Sequence, residues 1–491
     1  MKKQNHVSDS LRRCFGLRET VTLTVGTVIG VGLFTVGANA VGQMGPAVIW
    51  ATLAALAASI YPSLLYAEMG AALPYAGGTY QYASIGLGRV FGMLSGWSFI
   101  ISMVSVASGE AMAFSFYIRT LFEAIGISLP FSDTVIACGV LLLFLVLGLS
   151  GVEMTGRLQN GFLFFFWGIA IVWLLTMLPS LHFDYFAHPS PQGVSLPVFL
   201  SCTAMVWWCF AGFETCCAMG EEIKHPQINL PRALILAPFL VFAVNGLFQW
   251  VLACIVPPEA LTMLAGSDAP YAEGMRLAGV AGLPLVLLCL GIAFGGDFST
   301  LNASLTAPAR YLYTMARDGA LPRCFARLHP RYRTPYLSIL VLGLLMLVLV
   351  ATGSIFLVAS LSLFATLLYY IIGIAAAWRL RRKRPELARP YRAPLIAVGA
   401  PVSILIYAAM MTQLDRTALL AGILWCLLGL AVYFLYSRRH FSPDLSLPPL
   451  PAPPKKEERQ KLDREYRRWR FVVFLAAGLV LLLYLLAYLL G

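Results

Sequence analysis

The sequence predicts an all-helical polytopic membrane protein in which two repeats of five spans are followed by additional C-terminal spans. Three observations predict this fold. The 491-residue chain is 59% hydrophobic and 12% charged, and it repeatedly offers apolar runs of the roughly 20 residues that cross about 30 Å of hydrocarbon. Lysines and arginines concentrate in alternate loops. Glycines interrupt the first span of each repeat.

Apolar runs bounded by charges and turn residues predict about thirteen transmembrane helices. They are expected near residues 17–42, 45–72, 89–118, 134–150, 158–179, 196–220, 232–256, 279–309, 336–352, 355–378, 395–413, 417–437 and 471–490. The chain then divides into an N-terminal segment 1–16, a first repeat 17–180, a second repeat 196–380, spans eleven and twelve at 395–437, a proline-rich and then charged linker 438–470, and an extra C-terminal span 471–490.

The distribution of basic residues predicts the orientation of the chain. With residues 1–16 in the cytoplasm, every lysine and arginine of the 35 in the chain except Arg119, Arg276 and Arg416 falls in a cytoplasmic segment. This asymmetry predicts a cytoplasmic N-terminus and supports the number of spans. The expected location is the plasma membrane, of the bacterial inner membrane type. The net charge of +12 is then explained by topology and anionic lipid, and we expect no nucleic-acid partner.

Residue placement also disfavours catalysis. No histidine falls in a predicted span, so a membrane enzyme would lack the usual base beside its nucleophile. The ten cysteines lie in spans or cytoplasmic segments without metal-ligand spacing. We therefore expect neither an enzyme nor a bound metal or cofactor.

Two spans are broken at corresponding places in the two halves, at GTVIGVGLF (Gly26–Phe34) and at WWCFAGFETCCAMGEE (Trp207–Glu222). Lipid cannot satisfy the backbone groups that such breaks free, so these groups are expected to face a cavity and a ligand. N–H groups that open a half-helix suit a carboxylate, and carbonyls that end one suit an ammonium. The N–H groups are those of Gly30, Val31 and Gly32, and the carbonyls are those of Val28, Ile29, Phe210 and Ala211. The alternative is that the glycines only allow close helix packing.

Five motifs resemble the amino acid-polyamine-organocation (APC) superfamily of secondary transporters. They are IGVGLF in span one, YAEMGAALPYAGGTYQYAS after span two, FAGFE with GEEIKHPQINLPRA in and after span six, ARYLYTMARDGALP after span eight, and RRKRPELARPYRAP after span ten. The resemblance covers spans one to ten well and spans eleven and twelve weakly. It implies the APC/LeuT-like inverted-repeat fold, and a permease or antiporter that moves amino acids by alternating access.

The resemblance also assigns roles to individual residues. It places the substrate carboxylate at Gly30, Val31 and Gly32, the ammonium at Ile29, Phe210, Ala211 and Phe213, an aromatic gate at Trp208, and a proton-sensitive carboxylate at Glu214. The loop residues Glu221, Glu222, Lys224 and Arg232 match a motif that is expected to pair charges at the inward gate.

Coupling is expected to involve protons more than sodium. Proton-coupled relatives carry a lysine in span five, but the matching position here is Phe166, with Trp167 as the next possibility. The missing lysine disfavours lysine-based coupling and favours obligatory exchange, facilitated diffusion or another proton carrier. Asp297 in span eight, and after it Glu110 in the outer half of span three, are the other candidate proton carriers. Both carboxylates can alternatively recognise a cationic group on the substrate. Ser299, Thr300 and Ser304 can offer oxygens to a sodium ion, although hydroxyls more often bond to their own helix.

Other interpretations stay open at this point. A polyamine or organocation carrier of the same fold is the first alternative, and an ion channel is the alternative from another class. The linker Leu445–Arg470 is expected to be extended or disordered. The extra span 471–490 is either a simple anchor or a contact with a second copy or another partner.

Overall fold

The computed structural model describes residues 13–30, 32–150, 152–188, 193–441 and 452–491. Helices dominate this part of the chain, and within it the only β-type pairings are two isolated bridges. The helices of the first half are α1 (Leu17–Gly26), α2 (Ala38–Met44), α3 (Val48–Ala72), α4 (Gly78–Gly86), α5 (Arg89–Ala124), α6 (Asp133–Leu149) and α7 (Val152–Met177). Those of the second half are α8 (Leu196–Trp208), α9 (Thr215–Ala218), α10 (Pro226–Ile255), α11 (Pro270–Leu277), α12 (Leu283–Gly291), α13 (Phe298–Arg317), α14 (Tyr336–Val350) and α15 (Ile355–Lys383). After them come α16 (Ile396–Met411), α17 (Arg416–Val432), α18 (Arg438–His440) and α19 (Lys456–Leu490).

The predicted interruption of the first span is present. Helix α1 ends at Gly26, the backbone turns irregularly through residues 27–30, and a π-helical turn over Gly32–Gly37 leads into α2. Val31, one of the predicted ligands, lies outside the described residues. We call residues 27–32 the first break.

The predicted interruption of span six is present as well. Helix α8 ends at Trp208, and helical structure resumes only with the four-residue helix α9. Gly212, between them, has φ +111°, a backbone conformation that residues with a Cβ rarely adopt. We call residues 209–214 the second break.

Large apolar side chains cover the outside of the bundle, as lipid contact requires. Leu344 and Leu435 expose 63% and 77% of their surface. Eight helical segments among the described residues are long and apolar enough to cross a membrane, and four shorter apolar helices accompany them. The chain is therefore an integral membrane protein of the all-α polytopic class. The count of thirteen spans stays a prediction.

The centre of the bundle is the 36-residue helix α5. It packs against α4, α6, α13, α14 and α15, and most of its residues between Gly92 and Leu121 are buried. Helix α10 packs along α3 and forms the second large contact. The basic C-terminal ends of α13 and α15, which carry Arg317 and Arg381, lie at one end of the bundle, called the basic end.

The charged linker is not extended over its whole length, which corrects the sequence prediction for that part of 438–470. Residues from Lys456 onward are helical and continue into the last span as the single 35-residue helix α19. Helix α19 packs along α10, and Asp463 forms an ion pair with Arg232. Contacts with another helix thus stabilise a segment whose composition alone favours disorder.

Candidate functional site

A narrow crevice lies between the two breaks. It contains about 350 Å³ of empty space, including any part open to the outside. Its walls are formed by Thr27, Val28, Gly32, Met103, Val106, Glu110, Trp208, Ala211, Gly212 and Thr366.

Glu110 lies directly against the first break. A Cβ added to Gly30 would lie 2.6 Å from the carboxyl carbon of Glu110, so only glycine leaves room for this carboxyl group. Glu110 is 1% exposed and lines the crevice. Helix α5 thus carries Glu110 at the level of the first break, and its place in the outer half of span three stays a prediction.

Asp297, the favoured carboxylate of the sequence analysis, lies behind Glu110 rather than on the crevice wall. Its carboxyl group interacts electrostatically with that of Glu110, and neither of its oxygens has a hydrogen-bond partner among the described residues. Two neighbouring buried carboxyl groups repel each other when both are charged, which favours a proton on one of them. The pair can thus hold a proton beside the crevice.

The carbonyl groups of the first break are bonded to α13. Thr300 Oγ donates to the carbonyls of Gly26 and Ile29 at 2.9 and 3.1 Å, and Ser299 Oγ donates to Gly26 at 3.1 Å. Gln159 in α7 donates to Ser299 Oγ at 2.7 Å. These hydroxyls therefore bond to span one rather than to their own helix, which corrects the commoner expectation.

Two other groups that the sequence singled out do not face the crevice with a free polar atom. The Gly30 N–H donates to the Val28 carbonyl at 3.2 Å, so it is not free for a carboxylate. The Ser304 hydroxyl is buried without a hydrogen-bond partner among the described residues, and Ser304 does not line the crevice.

The second break is held by aromatic side chains of α15. Tyr369 and Tyr370 donate hydrogen bonds to the two oxygens of Glu214, which is fully buried. The Gly212 N–H donates to Tyr370 Oη at 3.4 Å. Of the predicted ammonium ligands in this span, Ala211 lines the crevice, whereas Phe210 and Phe213 are buried and do not line it.

Trp208 closes the crevice at the end of α8. It is 7% exposed, and its indole N–H donates to Ser362 Oγ at 3.3 Å. Gly32 leaves room for its ring, since a Cβ there would lie 3.6 Å from the ring edge. The tryptophan therefore faces the crevice and not the lipid.

Phe166 fills the position at which the resemblance placed a lysine. It packs edge-to-face on Phe34 with ring centroids 5.6 Å apart and stacks on Phe248 at 5.8 Å. A Cβ on Gly295 would lie 2.6 Å from the Phe166 Cβ. This corner of the first break is consequently apolar, and Trp167 does not supply a charge either.

At the basic end, the segment before α1 and the loop after α9 are joined by backbone hydrogen bonds. Cys14 and Phe15 N–H groups donate to the Glu222 carbonyl at 2.8 and 3.0 Å, and Lys224 N–H donates to Phe15. Glu222 forms a buried ion pair with Arg310 at 3.2 Å. Burial raises the pKa of Glu222, and the Arg310 guanidinium opposes this shift.

The predicted charge pairing at the gate used the wrong cations. Glu221 pairs with Arg317 at 3.1 Å, so both glutamates of the loop are held by α13. Arg232 pairs instead with Asp463 of α19. The motif therefore predicted the acidic members of these ion pairs correctly, and the basic members wrongly.

The sequence model of a family described as amino acid permease matches residues 15–443. The chain belongs to the amino acid permease family. The resemblance to the APC superfamily is thereby confirmed, and helix α19 lies outside the matched region.

Characterised relatives of this permease are transporters. The branched-chain amino acid permease of Bacillus subtilis is 25% identical over 448 residues, covering 88% of this chain and 94% of that protein. The methylthioribose transporter of the same organism is 27% identical, covering 88% and 95%. Cationic amino acid transporter 4 of Mus musculus is 28% identical, covering 82% and 64%. The chain is accordingly a membrane transporter of small molecules and not an enzyme.

Sequence reasoning missed several residues of the permease site. Tyr369 and Tyr370 appear in the sequence only as two aromatic residues in an apolar helix, a pattern that signals packing. Met103, Val106 and Thr366 are equally inconspicuous. Gln159 offered a usable signal, because an amide in the first turns of a predicted span needs a partner.

Proposed function

We propose that this permease moves amino acids across the membrane by alternating access, with the substrate headgroup held between the first and second breaks. One observation carries the proposal: both broken spans, Trp208 and Glu110 converge on a single crevice, lined by residues of α5, α8 and α15. Backbone dipoles at such breaks pair with both ends of a zwitterion.

The position of the headgroup follows from the groups that remain around the crevice. The carboxylate is proposed to bind at the start of the π-helical turn, near Gly32 and Val31, with Gly30 joining once its bond to Val28 opens. The ammonium is proposed to bind near Ala211 and the carbonyl side of the first break. The substrate side chain then points toward Met103, Val106 and Thr366, beneath Trp208.

Counterflow in proteoliposomes tests this proposal. Vesicles of the purified protein are loaded with one unlabelled amino acid at a time, and uptake of the same labelled amino acid is followed. We expect saturable accumulation for a subset of amino acids, and none with Gly30→Leu. Linear, unsaturable flux would indicate a channel, and counterflow with putrescine but no amino acid would indicate the organocation alternative.

Coupling to protons is proposed to run through Glu110, with Asp297 as its neighbour, because Glu110 lines the crevice and interacts with a second fully buried carboxyl group. Substrate carboxylate near the break and the Glu110 charge repel each other, so binding and proton uptake are linked. Sodium has less support, since α13 hydroxyls already satisfy the carbonyls of Gly26 and Ile29.

Matched amide variants separate the two candidate carboxylates. With Glu110 as carrier, Glu110→Gln flattens the pH dependence of uptake and removes uptake driven by an imposed pH gradient. Glu214→Gln then keeps the pH dependence but lowers thermal stability, because it disturbs the bonds to two tyrosines. The opposite pattern would transfer the role to Glu214. If the pH dependence of uptake is unchanged in both variants, the protein exchanges substrates without moving a proton.

The transporter is proposed to lie in the plasma membrane. The asymmetry of its basic residues supports a cytoplasmic position for its N-terminus and its basic end. A homodimer or partner contact through α19 would use its outward residues, such as Phe471, Leu475 and Leu479, which are 68%, 60% and 52% exposed. Accessibility of single cysteines to a membrane-impermeant reagent tests the orientation, and light scattering tests the dimer.

A further inference from the structure

We propose that a groove at the basic end, between α15 and the loop after α4, binds the phosphate headgroup of an anionic phospholipid. The groove encloses about 1030 Å³, including the part open to the outside. It is lined by Leu87, Ala375, Trp378, Arg379, Arg382 and Lys383, and we call it the basic groove. It is separate from the crevice between the breaks and does not depend on the transported substrate.

The spacing of these residues puts them on one face of a helix. In α15 the lining positions are 375, 378, 379, 382 and 383, which are three or four residues apart and therefore share a face. The face changes along its length, from a small apolar residue through a tryptophan to three cations. This order matches the passage from hydrocarbon through the interface to phosphate.

The cations of the basic groove differ from their neighbours in having no acidic partner. Arg381, between them in sequence, forms an ion pair with the buried Glu68, and Arg389 reaches the same carboxylate at 3.3 Å. Arg384 pairs with Glu386. No carboxylate among the described residues pairs with Arg379, Arg382 or Lys383. The C-terminal end of α15 therefore keeps three positive charges available to an external anion.

Trp378 prepares the groove for a headgroup at the membrane surface. The Arg382 guanidinium lies 5.1 Å from the centre of the Trp378 ring, which keeps the side chain along the helix face rather than in free solution. Leu87 and Ala375 form the apolar wall, next to which an acyl chain can lie. A soluble phosphate compound would use the cations but leave this wall exposed.

Electrostatics favours an anionic lipid over a zwitterionic one. Each lysine or arginine near a membrane surface attracts anionic lipid, and three of them converge here without compensation. A phosphatidylcholine headgroup carries its own cation, which the three positive side chains would repel. Phosphatidylglycerol is therefore the probe that fits both the charge and the wall.

Native mass spectrometry of the purified full-length protein tests the proposal. The protein is titrated with phosphatidylglycerol or phosphatidylcholine, and bound lipid is counted for the wild type, for R379Q/R382Q/K383Q and for the matched control R323Q/R327Q/R331Q, which removes three exposed arginines from the loop before α14. We expect the groove variant to bind phosphatidylglycerol at least tenfold more weakly, and the control to bind it as the wild type does.

A folding control, a single variant and a competition with inorganic phosphate complete the experiment. Size-exclusion profiles show that the groove variant is folded, and the single variant Arg382→Gln, expected to weaken binding about threefold, gives a milder test. Equal binding of phosphatidylglycerol by the groove variant and the control would overturn the proposal. So would equal binding of both lipids by the wild type, or displacement of phosphatidylglycerol by millimolar inorganic phosphate, which would indicate a site for soluble phosphate.

Discussion

The first and second breaks interrupt two spans in similar places, but glycine serves a different purpose in each. Gly30 is required for space, because the Glu110 carboxyl group occupies the volume of any side chain there. Gly212 is required for its backbone conformation, since φ is +111° while the nearest atoms to an added Cβ are 3.4 Å away. One break is thus shaped by a neighbouring carboxyl group and the other by its own dihedral angle.

The bonds that hold the two breaks differ in the same way. Hydroxyls of α13 hold the first break through neutral bonds to Gly26 and Ile29. Two tyrosines hold the second through both oxygens of the buried Glu214 side chain. The first break is therefore fixed at its backbone carbonyls, and the second through a buried side chain.

Removing the buried ion pair between Glu222 and Arg310 has the largest expected effect. In Glu222→Gln, Arg310 is left as a buried charge without its counterion, which costs about 3–5 kcal/mol of unfolding free energy. Thermal unfolding in detergent measures this loss. Glu386→Gln, which removes an exposed ion pair with Arg384, is the control and costs about 0–1 kcal/mol. Equal melting temperatures in the two variants would show that the buried ion pair is not needed.

The first break is tested next. Gly30→Leu forces the Glu110 carboxyl group out of its place, so we expect uptake to fall at least a hundredfold, about 2.7 kcal/mol in the barrier, while the protein still inserts. Gly168→Leu in α7 is the control, because Gly168 is exposed, lies outside the crevice and has no atom within 4 Å of an added Cβ, and it retains most of the uptake. Normal uptake by Gly30→Leu would falsify the proposed site.

The tyrosine anchor of the second break ranks third. Tyr370→Phe removes one hydrogen bond to Glu214 and leaves an oxygen of this buried carboxyl group without its donor, which costs about 1–3 kcal/mol of stability. Tyr407→Phe, whose hydroxyl bonds the neutral Trp207 and Ala58 at 3.3 and 3.2 Å, costs about 0.5–1.5 kcal/mol. Melting curves of both variants rank the bonds. A smaller loss in Tyr370→Phe would mean that Glu214 is not held by its phenol partners.

The backbone of the second break gives the smallest effect. Gly212→Ala keeps the space but strains the dihedral angle, which costs about 1–2 kcal/mol. Gly478→Ala in α19, with nothing within 4 Å of the added methyl group, stabilises its helix by about 0.5–1 kcal/mol. Opposite shifts in melting temperature are expected. Shifts of the same sign would contradict the assignment of Gly212 to a conformational role.

Sequence alone predicted the breaks, because glycines clustered in an apolar run are unusual and their consequence is local. It could not predict that Glu110 lies against Gly30, since this contact depends on the path of α5. It also missed the tyrosine partners of Glu214, because a hydrogen bond between distant spans leaves no periodic pattern.

The helical start of α19 was missed for a related reason. A proline-rich stretch followed by dense charge is typical of an extended linker, and the residues that order it, Arg232 and His225, belong to the region around α10. His225 lies 2.9 Å from Glu458 and Arg232 contacts Asp463. Local composition was thus overridden by tertiary pairing, which a single sequence does not reveal.

The joined segments at the basic end also limit the rate of transport. Three backbone hydrogen bonds connect the residues around Phe15 to those around Glu222, and Glu222 forms a buried ion pair with Arg310 of α13. Under the proposed cycle they must separate whenever the crevice empties toward that side, and each backbone bond contributes about 0.5–1.5 kcal/mol. Turnover should therefore rise steeply on warming, and release on this side should be the slow half of the cycle.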